Sequence, residues 1–486
     1  MHIISISRVV AYWAEIQPDT VALVHENETL DWKTLEKTSN QLARAYQDLG
    51  VKPNDFVTIA LPNGIEFIQA CLAAWKLGAT PQPVSAKLPK FELDQLIELA
   101  APGLVVGVAD GEYPNATTVA IGYTSGVTGD SELSVEPLPE AIADSFKAMT
   151  SGGSTGRPKL IVSATPAVWD IDAEMLEIKQ QGAMLIPGPM YHNGPFMWGM
   201  GALFKGNTVV VTTRFDAEQT LSLIEQYSID VVYMVPTMMQ RIWKLPEQVR
   251  TKYNVASLRA LWHLASPCPE WLKENFIEWL GADVIWELYA GTEGIGSTVI
   301  NGAEWLEHKG SVGKPTETCE MKIVGENGET LAANEIGEVY MRPASGPGST
   351  YRYVGADAKM LGDGWESLGD LGRLDEDGYL YLADRNTDMI LSGGANIYPA
   401  EIEAAIDGYG PVRSSAVIGL PDEDMGNMVH AIVDAPGGIT EQELLDYLSD
   451  RLVRYKIPRT IEFVFAPLRD DAGKSRRKQL RADRLK

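Results

Sequence analysis

The sequence predicts an α/β protein, with a large N-terminal α/β domain of parallel sheets plus a small antiparallel β subdomain, and a smaller C-terminal α+β domain. Three observations predict it. Short apolar runs alternate with amphipathic helical stretches from residue 5 to about 290, the pattern of strand–helix–strand units and a largely parallel sheet. From about 320 the apolar residues switch to period two, with Glu326-Asn-Gly328 and Asp375-Glu-Asp-Gly378 between them, as in antiparallel hairpins. From Asp384 a unit of about a hundred residues carries its own helix and strand pattern, enough for a separate domain. The expected division is therefore 1–383 and 384–486.

In chain order, Asp31 is placed to cap a helix with Leu35, Leu42, Ala43, Tyr46 and Leu49 on one stripe. Residues 56–61 read as a buried strand. Pro62-Asn-Gly64 turns into a helix that faces Phe67, Ile68, Cys71, Leu72 and Trp75 inward, Gly78 ends it, and 79–84 is the next strand. Residues 107–145, with scattered Gly, Pro and Asp, read as loop and sheet edge. Strands are expected at 160–162, 182–186, 208–212, 231–235, 258–264 and 283–289, and helices at 217–227 and 237–244. The antiparallel part contributes 320–324, 337–341 and 379–382. The last unit contributes a helix from 399 to 407, strands near 415–419 and 429–434, and a helix from 440 to 454.

With 486 residues, 45% hydrophobic and 22% charged, the chain has ample material for more than one core. A net charge of −25 disfavours nucleic acid as a partner. Cys71, Cys268 and Cys319 are far apart, so neither a disulfide framework nor a zinc site is indicated, and a cytoplasmic location fits. The first residues show no basic leader before an apolar core, and no run approaches the ~18–20 apolar residues of a membrane helix. The last eighteen residues run against the acidic average, with eight Lys or Arg and three Asp. That tail is either a solvated end or a surface for an anionic ligand.

The densest chemistry lies in Thr150-Ser-Gly-Gly-Ser-Thr-Gly-Arg-Pro-Lys159. Gly152, Gly153 and Gly156 let the backbone approach a ligand closely, and successive N–H groups in such a turn cradle anions. Thr150, Ser151, Ser154 and Thr155 add hydroxyl donors, and Lys159 adds a point charge suited to phosphate. The stretch is not a Walker A loop, because Arg157 and Pro158 separate the last glycine from the lysine. Five more stretches stand out. Tyr289-Ala-Gly-Thr-Glu-Gly294 follows a predicted strand, where α/β sheets place ligands. The others are Gly369-Asp-Leu-Gly372; Asp384-Arg-Asn-Thr-Asp through Ser392-Gly-Gly-Ala-Asn-Ile-Tyr-Pro-Ala-Glu-Ile-Glu403; Asp471-Ala-Gly-Lys-Ser-Arg-Arg477 after Tyr455-Lys-Ile-Pro458; and Pro189-Met-Tyr-His-Asn-Gly194.

In this order and spacing the stretches resemble the adenylate-forming superfamily, and 392–403 resembles its acyl-CoA synthetase branch. Gly302-Ala-Glu-Trp-Leu-Glu-His-Lys-Gly-Ser-Val-Gly313 and Gly473-Lys-Ser-Arg-Arg-Lys478 resemble bile-acid-type CoA ligases, which act on bulky polycyclic acids. The resemblance implies a two-step reaction with ATP, Mg²⁺ and CoA. A carboxylate displaces pyrophosphate from ATP to give an acyl adenylate, and the CoA thiol then displaces AMP. It assigns the 150–159 stretch to the β- and γ-phosphates. Tyr289, with Ala290 and Gly291 behind it, stacks on adenine, with Ala265, Ser266 and Pro267 along its edge and Glu287 as an acceptor. Thr292 contacts the α-phosphate and Glu293 the Mg²⁺. Asp370 and Arg385 hold the ribose, Gly393 and Gly394 are cofactor-binding, Lys474 bridges carboxylate and α-phosphate, and His192 gates the acyl and CoA channels. Loading of a carrier protein is the alternative acceptor chemistry, a fatty or aryl acid the alternative substrate, and the resemblance admits a homodimer. Leu368, Leu160 and Thr387 depart from the usual residues at their positions. The acyl pocket is expected among Trp198, Met200, Met234, Met238, Met239 and Trp262, with Gly199, Gly201 and Gly291 making room.

Overall fold

The computed structural model describes residues 2–129, 132–152, 158–385, 388–392, 395–422, 425–470 and 473–485. Its spine is six parallel strands. Ile285–Ala290, Ala260–His263, Val231–Met234, Ala183–Ile186, Thr208–Val211 and Val21–His25 lie side by side in that order. Antiparallel strands extend both edges: Glu28–Asp31 at one, Ser297–Asn301 and Lys314–Pro315 at the other. The central strands are apolar almost throughout because helices cover both faces; Val231, Val232, Tyr233 and Met234 are all at most 2% exposed. A second parallel sheet orders Thr80–Pro83, Phe56–Ile59, Leu104–Val106 and Thr117–Val119. Asp31 caps the helix Trp32–Asp48 as expected, its carboxylate accepting the Thr34 N–H at 2.6 Å.

Three antiparallel sheets complete the larger part, one of them the pair Ile3–Ser5 and Val168–Asp170. Tyr351–Val354, Pro158–Ser163 and Ala148–Gly152 form the second. Cys319–Val324, Gly337–Pro343, Trp365–Leu374, Lys359–Leu361 and Leu380–Arg385 form the third, where period two was read. The C-terminal part has its own apolar core, including Ile390, Ile402, Ile406, Val417, Val433 and Leu448. It sits between the sheet Ser414–Asp422, Gly426–Asp434, Thr460–Val464 and the helices Pro399–Asp407 and Glu441–Ser449. The latter opens on a capping box between Thr440 and Glu443 and stops at Ser449, short of the 454 expected.

Other differences have physical reasons. Residues 107–145 hold an edge strand, Thr117–Val119, and a helix, Tyr123–Gly129, where loop was expected. That helix is poor in helix formers and is held from outside: Glu66 accepts the N–H groups of Gly122 and Thr124, and Tyr123 stacks on Tyr46. The helix Asn193–Phe204 shows no stripe because it is apolar nearly all round, and Pro195, Phe196, Trp198 and residues 199–204 are all buried. Its Gly194 is dictated by packing, since a Cβ there would lie 2.3 Å from the Tyr233 hydroxyl oxygen.

Candidate active site

The predicted phosphate stretch spans a β-hairpin. Ser151 pairs with Lys159 and Gly152 with Pro158 across the two strands, while Gly153, Ser154, Thr155, Gly156 and Arg157 lie outside the described residues. Thr150 pairs with Leu160. Lys159 projects toward the end of the central sheet. Its ammonium lies 3.5 Å from Glu293 Oε1 and 3.8 Å from the centre of the Tyr353 ring.

Thr292 and Glu293 occupy a tight turn just past Ile285–Ala290. The Gly294 N–H returns to the Gly291 carbonyl at 3.1 Å, and Gly294 has φ +64°. A Cβ on Gly291 would lie 2.4 Å from Leu368 Cδ1 and 2.9 Å from Glu293 Oε2, so the turn needs glycine there. Glu293 is 7% exposed and accepts a 2.5 Å hydrogen bond from the Tyr353 hydroxyl. Burial, and then that hydrogen bond, push the Tyr353 phenol well above its usual range. Sequence reasoning missed Tyr353. Its strand neighbours gave it period-two alternation and nothing more. Glu293 fits Mg²⁺ of the kind that arrives with a triphosphate, because that ion takes one or two carboxylates plus phosphate oxygens and water. Among the described residues no group of three or more His, Cys, Asp or Glu forms a separate metal cage.

The nucleoside end is assembled from neighbouring strand ends. Tyr289 donates its hydroxyl to Asp370 Oδ2 at 2.7 Å. Asp370 in turn is the direct cross-strand partner of Arg385, so the two residues expected at the ribose share one register. Gly369, with φ +83°, sets the approach. Ala265, Ser266 and Pro267 follow the strand Ala260–His263, and Ala265 adopts φ +76°, a costly conformation for a non-glycine residue. Ala290 and Gly291 continue from Tyr289. Glu287 is placed differently from an open adenine acceptor: it is 6% exposed, and its Oε2 lies 2.7 Å from the Lys273 ammonium and 3.9 Å from His263 Nε2. His263 is fully buried, and burial lowers its pKa to about 4, so it is neutral. Gly393 and Gly394 lie outside the described residues.

The loop that carries Lys474 belongs to the C-terminal part. It closes on Asp470, which accepts the Lys474 N–H at 2.9 Å. A Cβ on Gly473 would lie 3.1 Å from Thr237 Oγ1 and 3.6 Å from Ser266 Oγ, so the loop rests beside the expected adenine edge. Two further bonds cross between the parts: Gln240 Nε2 to the Asp407 carbonyl at 2.9 Å, and Lys244 to the Val412 carbonyl. The C-terminal motif has a structural member in Glu403, 3% exposed, which accepts from both Arg469 and Arg477. Arg484 pairs with Glu462, so three cations of the basic tail serve their own domain.

His192 precedes the helix Asn193–Phe204 at its N-cap, its ring 4.4 Å from that of Tyr191. The expected acyl residues Trp198, Met200, Met234, Met238, Met239 and Trp262 are at most 4% exposed. Trp198 meets Tyr233 and Trp262 edge-on at 5.4 and 5.9 Å, and Trp262 stacks on Trp286. The glycines do not leave open room. Gly199 faces Met190 and Ile186, and a Cβ on Gly201 would lie 2.4 Å from Met175 Cε.

The sequence of the whole chain carries a family signature that agrees with this geometry. Residues 10–353 match the AMP-binding enzyme family, and residues 401–472 match the AMP-binding enzyme C-terminal domain. The chain belongs to the AMP-binding enzyme family. It is an AMP-forming acid–thiol ligase of the acyl-CoA synthetase kind, with ATP, Mg²⁺ and CoA as its cofactors. It is 31% identical over 463 residues to a feruloyl-CoA synthase of Amycolatopsis sp, covering 93% of each chain. It is 29% identical to the fatty acid–[acyl-carrier-protein] ligase ScoC of Streptomyces coeruleorubidus, covering 97% of this chain and 95% of that one. Among solved structures it resembles the o-succinylbenzoate CoA synthetase of Bacillus subtilis bound to its acyl-adenylate intermediate. The TM-score is 0.81 at 25% identity, over 99% of this chain and 98% of that one. No helix among the described residues is long and apolar enough to cross a membrane.

Proposed function

We propose that this ligase activates a bulky, hydrophobic carboxylic acid and transfers it to CoA, using the residues gathered at the cleft. The observation that carries the reading is convergence. The Tyr289–Asp370 and Lys159–Glu293–Tyr353 groups follow the same end of the strand Ile285–Ala290, and Gly473 of the Lys474 loop lies beside Ser266, which follows the neighbouring strand. A carboxylate is a poor acyl donor because oxide is a poor leaving group. Attack of a carboxylate oxygen on the α-phosphorus of ATP, with loss of pyrophosphate, gives a leaving group that the cleft holds by its phosphate. Asp370 and Tyr289 hold the nucleoside, with Arg385, Ala265, Ser266, Pro267, Ala290 and Gly291 around it. Lys159 moves from Glu293 to the entering phosphates, and Thr292 orients the α-phosphate. Glu293 would hold Mg²⁺, which would supply positive charge against the phosphates. Lys474 faces the charge that develops in the first step, where preorganised charge is typically worth ~10²–10³ in rate. In the second step the thiol sulfur attacks the carbonyl, AMP leaves, and the unit 384–486 swings away with Lys474. His192 stands at the acyl–CoA gate.

The bulky acid is the finer half of the proposal. Support comes from methionine: Met190 and Met175 fill the space beside Gly199 and Gly201, and methionine side chains adapt to irregular apolar shapes. The aryl acid in the name of the feruloyl-CoA synthase supports a smaller aromatic substrate instead. ScoC, a carrier-protein ligase by name, supports a carrier protein as alternative acceptor. A pyrophosphate-release screen over fatty, aryl and polycyclic acids, run with CoA and with holo carrier protein, separates these readings. Lys474→Ala is expected to abolish acyl-adenylate formation and to leave thioester formation from supplied acyl adenylate within about threefold. Equal loss of both half-reactions would sink the role given to the C-terminal loop.

A further inference from the structure

Lys147 sits one residue ahead of the strand Ala148–Gly152 and is 8% exposed. Its carbonyl accepts the Ser163 N–H at 2.9 Å, which fixes its register in the hairpin. Its ammonium donates to Asn193 Oδ1. Asn193 is the first residue of the helix Asn193–Phe204 and follows His192. Burial lowers the pKa of Lys147 to about 7, and the negative charge of Glu293 opposes that shift.

An amide oxygen is a neutral partner, and a buried ammonium is well compensated only by an anion. Glu293 is already bonded by Tyr353 and faced by Lys159. The cleft therefore carries two lysines, Lys147 and Lys159, around one carboxylate, and the surplus positive charge suits an anionic ligand. Position along the hairpin decides which one. Lys147 is four residues from Ser151, the partner of Lys159, and a strand rises about 3.3 Å per residue, so their backbones stand about 13 Å apart along the hairpin. Lys159 belongs to the phosphate end. Lys147 belongs to the end beside His192 and Asn193, the side that the ligase reading gives to the acid.

We propose that Lys147, together with Asn193, binds the carboxylate of the acid substrate before it is adenylated. This rests on the ligase reading above. Lys147 lies on the larger domain, so the carboxylate keeps a cationic partner whether or not Lys474 is docked. Adenylation removes the carboxylate's charge, so the hold loosens as the first step finishes.

The test is equilibrium binding, read by intrinsic tryptophan fluorescence, of cinnamate and decanoate against their uncharged primary amides. Wild type is expected to favour the acid over its amide by about tenfold, the effect of one charge-assisted hydrogen bond. In Lys147→Met that preference falls to about unity, while Lys147→Arg retains most of it because charge is kept. MgATP affinity stays within about twofold in both variants, which also checks that they fold. The assignment is overturned if wild type does not discriminate acid from amide, if Lys147→Met still does, or if MgATP affinity falls in parallel. Thioester formation by wild type judges the ligase reading separately: an enzyme that reads the carboxylate through Lys147 yet makes no thioester fails that reading and leaves this one standing.

Discussion

Tyr353 is the clearest case of a residue whose role only the fold reveals. Its hydroxyl donates to Glu293 at 2.5 Å while its ring carries the Lys159 ammonium, so one side chain holds both charged partners. Hydrogen bonds to charged groups are worth roughly 1.5–3 kcal/mol. Tyr353→Phe keeps the ring and the cation contact and removes only the hydroxyl. The half-saturating Mg²⁺ concentration in ATP–pyrophosphate exchange is then expected to rise about tenfold, the equivalent of 1.4 kcal/mol. Thioester formation from supplied acyl adenylate needs no metal-bound triphosphate and is expected to stay within about twofold. An unchanged Mg²⁺ titration would show that Glu293 needs no help from Tyr353. Gly291 is a second residue-scale case. Leu368, the departure from the usual threonine, packs where a Gly291 side chain would go. Gly291→Ala is expected to displace Leu368 or Glu293, with loss of activity exceeding loss of stability when both are measured.

At the scale of elements, the strands Ala260–His263 and Ile285–Ala290 carry a buried polar group of calculable consequence. His263 has a pKa near 4, lowered first by burial and only partly restored by Glu287, against a usual value near 6.5. Above pH 6.5 it is neutral in both folded and unfolded chains and costs nothing. As pH falls from 6.5 to 4 the unfolded chain takes up a proton that the folded one refuses, and stability is lost. The full loss is about 3 kcal/mol and is complete below pH 4. Urea unfolding at pH 7, 5.5 and 4.5 is expected to show this slope, and His263→Gln to flatten it. A variant with the wild-type slope would place the acid sensitivity elsewhere. The parallel strands around His263 were legible because they are apolar runs at regular spacing. The helix Asn193–Phe204 was not, because it is apolar nearly all round and so carries no helical stripe. The site divides the same way. Tyr289, Glu293, Asp370 and Lys474 stand in local motifs. Tyr353 meets Glu293 only through strand register, which no short window of sequence contains. Glu287 is expected at adenine only from the family resemblance, and its ion pair with Lys273 comes from the helix Glu270–Leu280, which no motif marked.

For the whole molecule, what matters is how its larger and smaller parts are joined. Each has its own apolar cluster, and Glu403 with Arg469 and Arg477 holds the smaller one together internally. Among the described residues the bonds between them include Gln240 to the Asp407 carbonyl and Lys244 to the Val412 carbonyl, with Gly473 seated against Thr237 and Ser266. Burial lowers the pKa of Lys244 and raises that of Asp407 to about 6, as expected for polar groups enclosed between docked surfaces. Joints of this kind resemble transient interfaces, and relative motion is the default for them. Because this docking brings the Lys474 loop to the nucleotide side, it should favour the first half-reaction. Removing both side-chain bonds with Gln240→Ala and Lys244→Met takes away about 2 kcal/mol of docking, at about 1 kcal/mol per hydrogen bond. That shifts the domain equilibrium by roughly thirtyfold without touching either core. Acyl-adenylate formation is expected to slow about tenfold in the double variant. Thioester formation from supplied acyl adenylate should hold or rise, and the melting temperature of the larger domain should move by less than about 3 °C. Slower thioester formation with intact adenylation would reverse the assignment and tie this docking to the second step instead.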